Sequence, residues 1–180
     1  MTEEATLVQT EHGLVPQGPG WYVLNARDAT WRAAEGRGAY SDLEGEPEFD
    51  QLGIHLVTLA PGDAMAMYHW EADEEDFLVL AGEAVLIIEG EERVLRAWDF
   101  VHCPPEAKHV IVGAGDSRCL LLAVGARDKS VGENWGGYTV DATAAKHGAS
   151  VDEDTTEPDE AYARVAKRAP ARTGDDWLPS

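Results

Sequence analysis

Short apolar runs separated by turn signals fill the sequence from residue 53 to residue 125. The run Ile54–Ala60 stops at Pro61–Gly62, and the run Phe100–Cys103 stops at Pro104–Pro105. Short strands so closely spaced, each ended by Gly or Pro, favour an all-β barrel or sandwich. The predicted strands are Ile54–Ala60, Met65–Trp70, Phe77–Leu80, Ala84–Ile88, Arg93–Leu95, Phe100–Cys103, Val110–Val112 and Cys119–Val124.

The segments on either side of this region have a different composition. Residues 1–52 form a polar arm that is rich in Gly and Pro at its start. Residues 126–180 form an extension in which Asp141–His147 and Pro158–Lys167 are predicted as short helices. We therefore predict three parts: the arm with flanking strands, a barrel at 53–125, and a C-terminal extension that packs on the barrel or on a partner subunit.

The charge of the chain limits its partners. It has 34 acidic and 14 basic residues, for a formal net charge of −20. Such a surface repels phosphate backbones and anionic lipid headgroups, so we expect no nucleic acid and no membrane partner. The sequence contains no P-loop, HExxH or GxSxG motif, which argues against nucleotide-driven and serine-hydrolase chemistry.

The cysteines and the N-terminal residues bear on the cellular compartment. Cys103 and Cys119 have no CxxC spacing and are predicted to be small buried side chains rather than a disulfide. Residues 1–16 carry acidic side chains and no apolar run, unlike a signal peptide. We therefore expect the protein in the cytoplasm.

Chemically active side chains are concentrated around one predicted strand. Met65, Met67, His69 and Glu71 fall at alternate positions, so in a strand they share one face. Acidic residues 73–76 follow, before the next strand begins at Phe77. A later strand restarts after the Pro104–Pro105 turn with His109. Two imidazoles and two carboxylates would converge if these segments pair.

These residues resemble the two motifs of the cupin family. The first motif is matched by Pro61–Gly62, His69–Trp70–Glu71, Glu75 and Gly82, and the second by Trp98–Asp99, Pro104–Pro105 and His109. The resemblance covers about residues 53–125. In detail the sequence is similar to an uncharacterised bacterial branch of small single-domain cupins, and this similarity implies no particular activity. It implies a double-stranded β-helix, that is, a jelly-roll barrel. It also implies one divalent metal ion on His69, Glu71, Glu75 and His109.

The choice of Glu75 as the third ligand rests on spacing and alternation. Six residues separate Glu75 from Gly82, as in the motif, and Glu75 alternates with Phe77 and Val79. Asp76 is the reserve candidate.

Three positions depart from the family motifs. Glu71 replaces the second histidine of the first motif, and Trp98 and Glu106 replace glycines around the second. A carboxylate in place of an imidazole is a harder ligand, so we expect Fe²⁺, Mn²⁺ or Zn²⁺. The alternative is a barrel that has lost its metal, with Glu71 hydrogen-bonded to His69 or His109.

The remaining histidines are weaker candidates for function. His55 alternates with apolar residues and is expected to be structural, and His102 is either structural or a proton carrier near the metal. Two functional classes stay open. One is a metal enzyme acting on a small organic substrate, such as a dioxygenase, isomerase, decarboxylase or lyase. The other is a non-catalytic small-molecule-binding or sensor barrel.

We also expect a homodimer. Barrel sheets have edges that must be covered, and two-fold dimers are the commonest soluble homo-oligomers. The apolar run Trp21–Leu24, predicted as an edge strand, and the tail at Trp177–Leu178 are available to cover them.

Overall fold

The computed structural model describes residues 3–128, 132 and 134–179. Four strands precede the predicted barrel: β1 Thr6–Gln9, β2 Leu14–Gln17, β3 Thr30–Ala33 and β4 Ala39–Asp42. Eight strands follow: β5 Leu52–Leu59, β6 His69–Glu71, β7 Glu75–Ala81, β8 Glu83–Ile88, β9 Glu91–Arg96, β10 Phe100–Cys103, β11 His109–Ala114 and β12 Cys119–Ala126. The last elements are β13 Gly136–Tyr138, α1 Ala142–Ala145, α2 Pro158–Ala161 and β14 Ala169–Ala171.

The strands form two large antiparallel sheets, which confirms the all-β prediction. One sheet has seven strands in the order β10-β7-β12-β5-β4-β3-β14, and the other has five in the order β13-β6-β11-β8-β9. The small pair β1–β2 stands apart from both. From β5 to β12 the chain passes back and forth between the two large sheets, except at the hairpin β8–β9, so it closes around the space between them as a double-stranded β-helix.

The main core lies between the sheets and follows the period-two alternation of the strands. In β7, Phe77 and Val79 are buried, and in β12, Leu121 is fully buried. The five-stranded sheet contributes Leu86 and Ile111 to the same cluster. Side chains at alternate positions point to one face of a strand, so these strands turn one apolar face toward the core.

The flanking strands join the barrel rather than standing apart from it. Strand β4 pairs with β5, β3 pairs with β4, and β14 pairs with β3 at the far end of the seven-stranded sheet. The ring of Trp177 lies 5.3 Å from that of the fully buried Trp31. The C-terminal extension therefore packs on the barrel of its own chain. Among the described residues, no helix has the length and apolar character needed to cross a bilayer.

Four predicted elements are shorter than expected. The helix predicted at Asp141–His147 covers only Ala142–Ala145. The strand predicted at Met65–Trp70 covers only His69–Glu71, because residues 65–68 form bends. Trp21 makes a single bridge with Glu4 instead of an edge strand, and its side chain is exposed. The helix predicted at Pro158–Lys167 ends at Ala161.

The bends at residues 65–68 have a physical cause in their backbone partners. Tyr68 donates its backbone N–H to the carbonyl of Ala149 at 2.6 Å, and Met67 donates to the hydroxyl of Tyr162 at 3.3 Å. These partners come from the C-terminal extension and not from a neighbouring barrel strand. Since a continuous ladder is replaced by single bonds to loops, the chain bends here.

Candidate metal centre

Sheet register brings the two histidines together. His109 at the start of β11 is the direct partner of His69 at the start of β6. Their rings lie 4.9 Å apart between centroids, and both residues are buried. Directly opposed residues of an antiparallel pair have neighbouring side chains. The convergence expected from the sequence therefore follows from this one pairing.

Glu75 enters the same space from the other sheet. It alternates with the buried Phe77 and Val79, so its side chain points inward. Its Oε2 atom lies 3.2 Å from Nε2 of His109 and 3.6 Å from Nε2 of His69. The potential ligand atoms of the three residues all lie within 4.8 Å of one another. Three donors from two sheets thus face one small volume.

Both imidazoles are oriented by backbone carbonyls. Nδ1 of His69 lies 2.8 Å from the carbonyl of Met67, and Nδ1 of His109 lies 3.0 Å from that of Ala107. A carbonyl only accepts, so in each ring Nδ1 carries the proton and donates it. The Nε2 atoms are thereby turned toward Glu75. This is the usual way in which proteins orient metal-binding histidines.

Two atoms of the cluster are buried without a suitable hydrogen-bond partner. They are Oε2 of Glu75 and Nε2 of His109. Although 3.2 Å apart, they do not meet hydrogen-bond geometry with each other. Buried polar atoms are rarely left unpaired, and such exceptions often mark a missing ion or water. The donor set therefore fits a divalent metal ion.

Glu71 lies beside this cluster but not within it. It follows His69 by two residues in β6 and shares its face. Its Oε1 atom is 3.7 Å from Nε2 of His69, and its side chain remains 31% exposed. It is not part of the compact group of three. Glu71 is therefore placed either to complete a ligand set from the cavity side or to pair with His69.

The structure places Asp76 and His102 elsewhere. Oδ1 of Asp76 lies 2.7 Å from Nδ1 of His102, and the two residues are partners on neighbouring strands β7 and β10. The His102 side chain is 50% exposed. Because Cys103 and Glu75 point inward, their neighbours His102 and Asp76 face outward. This position separates both residues from the cluster, so it does not support Asp76 as the reserve ligand or His102 as a proton carrier.

The electrostatics of the cluster are those of a closely coupled set of charges. Burial alone would lower the pKa of His69, but the nearby carboxylates of Glu71 and Glu75 raise it to about 9. Burial likewise opposes charge on His109, yet interactions with Cys103 and Glu75 raise its pKa to about 9. Burial would raise the pKa of Glu75, but the nearby imidazoles of His109 and His69 lower it to about 2. Without a metal, the histidines hold protons at neutral pH.

Part of the cluster lines a cavity of about 1110 Å³. His69, Glu71 and Glu75 lie in its wall, together with Tyr162 and Arg168 of the C-terminal extension. That volume exceeds the usual range for sites that take drug-sized ligands. Tyr162 and Arg168 were not predicted as site residues from the sequence, because they lie outside the matched motifs.

Comparisons with known proteins agree with the fold. The cupin domain family model matches residues 55–125. The polyketide cyclase RemF from Streptomyces resistomycificus is 16% identical over 60% of this chain and 80% of its own, with a TM-score of 0.52. A predicted oxalate decarboxylase from Thermotoga maritima is 20% identical over 58% of this chain and 98% of its own, with a TM-score of 0.50.

A third structure is more similar in sequence over a shorter span. A suggested sugar phosphate isomerase from Acidithiobacillus ferrooxidans is 32% identical over 44% of this chain, with a TM-score of 0.43. The match spans 53% of that protein's length. No curated protein sequence is significantly similar to the chain. The family-model match, together with the double-stranded β-helix, shows that residues 55–125 form a cupin domain.

Proposed function

We propose that the protein binds one divalent metal ion through His69, Glu75 and His109 and acts on a small organic substrate in the cavity beside it. The observation that carries the proposal is the pair of buried, unpartnered atoms on Glu75 and His109. Two carbonyl-oriented imidazoles and one carboxylate suit Fe²⁺, Mn²⁺ or Zn²⁺. A bound ion of this kind would supply a Lewis acid for a substrate oxygen.

The residues around the proposed ion have distinct roles. His69 and His109 present Nε2 because Met67 and Ala107 hold their Nδ1 protons. Glu75 contributes a negative charge that partly neutralises the ion. Glu71 faces the cavity side, where we propose it as a fourth ligand. The three ligands of the compact group leave a coordination position for water or substrate, as in catalytic rather than structural zinc sites. With Glu71 as a fourth ligand, positions stay open only on an ion that takes more than four ligands, such as Fe²⁺ or Mn²⁺.

One observation favours the alternative of a barrel without metal. Two protonated histidines and the two carboxylates Glu71 and Glu75 balance in charge, so the cluster is electrically neutral when both imidazoles carry protons. Such a cluster could persist as a buried ion-pair network. A non-catalytic ligand-binding barrel would then use the same cavity.

Metal content separates these possibilities. The protein, freed of metal by chelation, is titrated with Zn²⁺ or Mn²⁺, or with Fe²⁺ under anaerobic conditions, and bound metal is measured after desalting. We expect about one ion per chain. His109→Ala should lose it, while the matched control His102→Ala, on the outer face, should keep it. Failure of the wild-type protein to bind any of the three ions would favour the metal-free network.

A homodimer and a cytoplasmic location stay predictions. Val94 of β9 and Phe100 of β10 are exposed, as is Trp98 between them, and both strands are sheet edges. A second copy would cover these apolar side chains. With a net charge of −20, the subunits repel each other most at low ionic strength, so dimerisation should strengthen as salt rises. Light scattering across a salt series tests this, and a monomer throughout would contradict it.

A further inference from the structure

Arg168, which the C-terminal extension carries, is held in the wall of the cavity by residues of the arm and the barrel. Its Nη2 atom donates to the carbonyl of Arg37 at 2.6 Å and to that of Met65 at 2.7 Å. Its guanidinium carbon lies 5.2 Å from the centre of the Tyr40 ring. Two carbonyls and an aromatic face fix the orientation of the guanidinium, but none of them carries a compensating negative charge.

The other arginines that line the cavity are neutralised. Arg127 donates from both Nη atoms to the carboxylate of Glu44, at 2.7 and 2.8 Å. Nε of Arg32 lies 3.5 Å from a carboxylate oxygen of Asp42. Within the part of the chain that the structure describes, Arg168 has no such ion pair. Arg37 also has no ion pair among the described residues, but it does not line the cavity. Arg168 is therefore the one uncompensated arginine among the described residues of the cavity lining.

The surroundings of Arg168 make this state costly. Its Nε atom is buried without a hydrogen-bond partner. Burial and the nearby charge of Arg37 lower its pKa to about 10, which still leaves it protonated at neutral pH. A partly buried cation without a counter-ion is unfavourable, and an anion that enters the cavity would relieve the cost.

A row of aromatic rings leads from the candidate metal centre to the extension that carries Arg168. The ring of Tyr138 lies 6.0 Å from that of His69, and the ring of Tyr162 lies 5.4 Å from that of Tyr138. Tyr162 is close enough to Arg168 to interact with it electrostatically. Tyr138, Tyr162 and Arg168 all line the cavity. An apolar, flat molecular body could therefore contact both rings between His69 and Arg168.

We propose that Arg168 binds the carboxylate of a small monoanionic organic acid, whose apolar body lies along Tyr138 and Tyr162 and whose other end reaches the His69–Glu75–His109 cluster. The proposal rests on the proposed function in that it names the ligand class for the same cavity. Arg168 is a binding residue that determines specificity, and it is supplied by the extension rather than by the barrel.

The charges of the cavity select a carboxylate over a phosphate. One uncompensated guanidinium balances one negative charge. The cavity is also lined by several carboxylates, which are Asp42, Glu44, Glu46, Glu48, Glu71 and Glu75. A dianionic phosphate would bring excess negative charge close to them, and like charges in a poorly screened cavity repel strongly. A neutral ligand would leave the guanidinium uncompensated.

The test compares ligands of one shape and different charge. Benzoate, neutral benzamide and dianionic phenylphosphonate are titrated into the chelated, metal-free protein and followed by calorimetry. We expect benzoate to bind about tenfold more tightly than benzamide, as one charge-assisted hydrogen bond would give, and more tightly than phenylphosphonate. Because no metal is present, this result does not depend on the proposed metal function. Repeating the series with Zn²⁺ added tests the metal function separately.

Three arginine variants assign the effect. Arg168→Met should abolish the preference for benzoate over benzamide. Arg32→Met removes the same charge from the same cavity at an arginine already paired with Asp42, so it should keep the preference. Arg168→Lys keeps the charge and covers the case in which the methionine variant does not fold, and it should keep part of the preference. Thermal unfolding of each variant shows whether it is folded before binding is measured.

Three outcomes would overturn the proposal. The first is a wild-type protein that does not distinguish benzoate from benzamide. The second is an equal loss of the preference in Arg168→Met and Arg32→Met, which would reduce the effect to overall cavity charge. The third is a folded Arg168→Met variant that keeps the preference, which would leave Arg168 as a clamp that only fastens the extension to the carbonyls of Arg37 and Met65.

Discussion

The two walls of the cavity are built in different ways. The barrel wall places His69, Glu75 and His109 by strand register, so each side chain is fixed by a ladder of backbone bonds. The wall from the C-terminal extension places Tyr162 and Arg168 through a few individual hydrogen bonds. In the proposed function, the wall built from strand ladders holds the metal, and the wall from the extension, which rests on fewer backbone bonds, selects the ligand.

One of the contacts between the two walls bears directly on a proposed metal ligand. The Tyr162 hydroxyl accepts the backbone N–H of Met67, and the carbonyl of the same Met67 accepts the Nδ1 proton of His69. The extension therefore helps to hold the bend that orients a proposed metal ligand. Unfolding and binding measurements on variants of each wall show how far the two walls depend on each other.

The largest contrast is expected between the core and the extension. Phe77→Ala removes a ring that is 1% exposed and lies 5.5 Å from the His109 ring, so it should cost about 3–5 kcal/mol of unfolding free energy. Trp177→Ala removes a partly buried ring at the end of the sheet and should cost about 1–2 kcal/mol. Urea unfolding measures both. Equal losses would mean that the extension belongs to the same cooperative core.

The second prediction concerns proton competition at the barrel wall. In the metal-free protein, His69 and His109 have pKa values of about 9, while the pKa of Glu75 is about 2. Below pH 9 a metal ion must displace both imidazole protons, so affinity should fall as pH falls and level off above pH 9. With two protons released, the dependence approaches about 100-fold per pH unit.

Calorimetry between pH 6.5 and 9.5, in buffers of different ionisation enthalpy, gives both the affinity and the number of protons released. An affinity that does not change over this range would contradict the raised histidine pKa values. Benzoate binding at Arg168 should change far less over the same range, which distinguishes the two walls.

The third prediction tests Glu71 at the boundary between the walls. If it is a ligand, Glu71→Ala should weaken metal binding by about tenfold, as loss of a supporting metal contact typically does. Glu71→His should retain the metal, because an imidazole is also a good ligand for these ions. Metal titration of both variants is the measurement. Unchanged affinity in the alanine variant would assign Glu71 to a pairing with His69 alone.

The smallest effect is expected at the turns of the barrel wall. Glu106 and Trp98 occupy the positions of two motif glycines, and their φ angles are +71° and +78°. A non-glycine residue in this region costs roughly 1–2 kcal/mol, part of which is offset by the greater chain entropy of glycine. Glu106→Gly should therefore stabilise the protein by up to about 1 kcal/mol in urea unfolding. A destabilised variant would show that the Glu106 side chain makes a compensating contribution.

Much of the barrel wall could be predicted because it follows alternation. The inward direction of Glu75 was predicted from its spacing to Phe77 and Val79, and the choice over Asp76 followed from the same pattern. The strand predicted at Met65–Trp70 was wrong for residues 65–68, which precede His69. Its backbone partners lie in residues far along the chain, and alternation within a strand carries no information about them.

The extension wall could not be predicted for a related reason. Arg168 follows a helix of one turn and precedes a three-residue strand, so no periodic pattern indicates its direction. Arg168 matters because it has no carboxylate partner among the described residues. This depends on the fold, in which Glu44 pairs with Arg127 and Asp42 pairs with Arg32. Only the folded arrangement shows which arginines are paired.

The pairing of β14 with β3 also has a consequence for biosynthesis. Ribosomes add residues from the N-terminus, so β3 and every strand of the barrel are made before β14 appears. Until residue 171 has left the exit tunnel, the β3 edge is uncovered and the cavity lacks Arg168. The nascent barrel can thus collapse around its core while its ligand pocket is unfinished, and the open edge is the stretch where a chaperone would have most to protect.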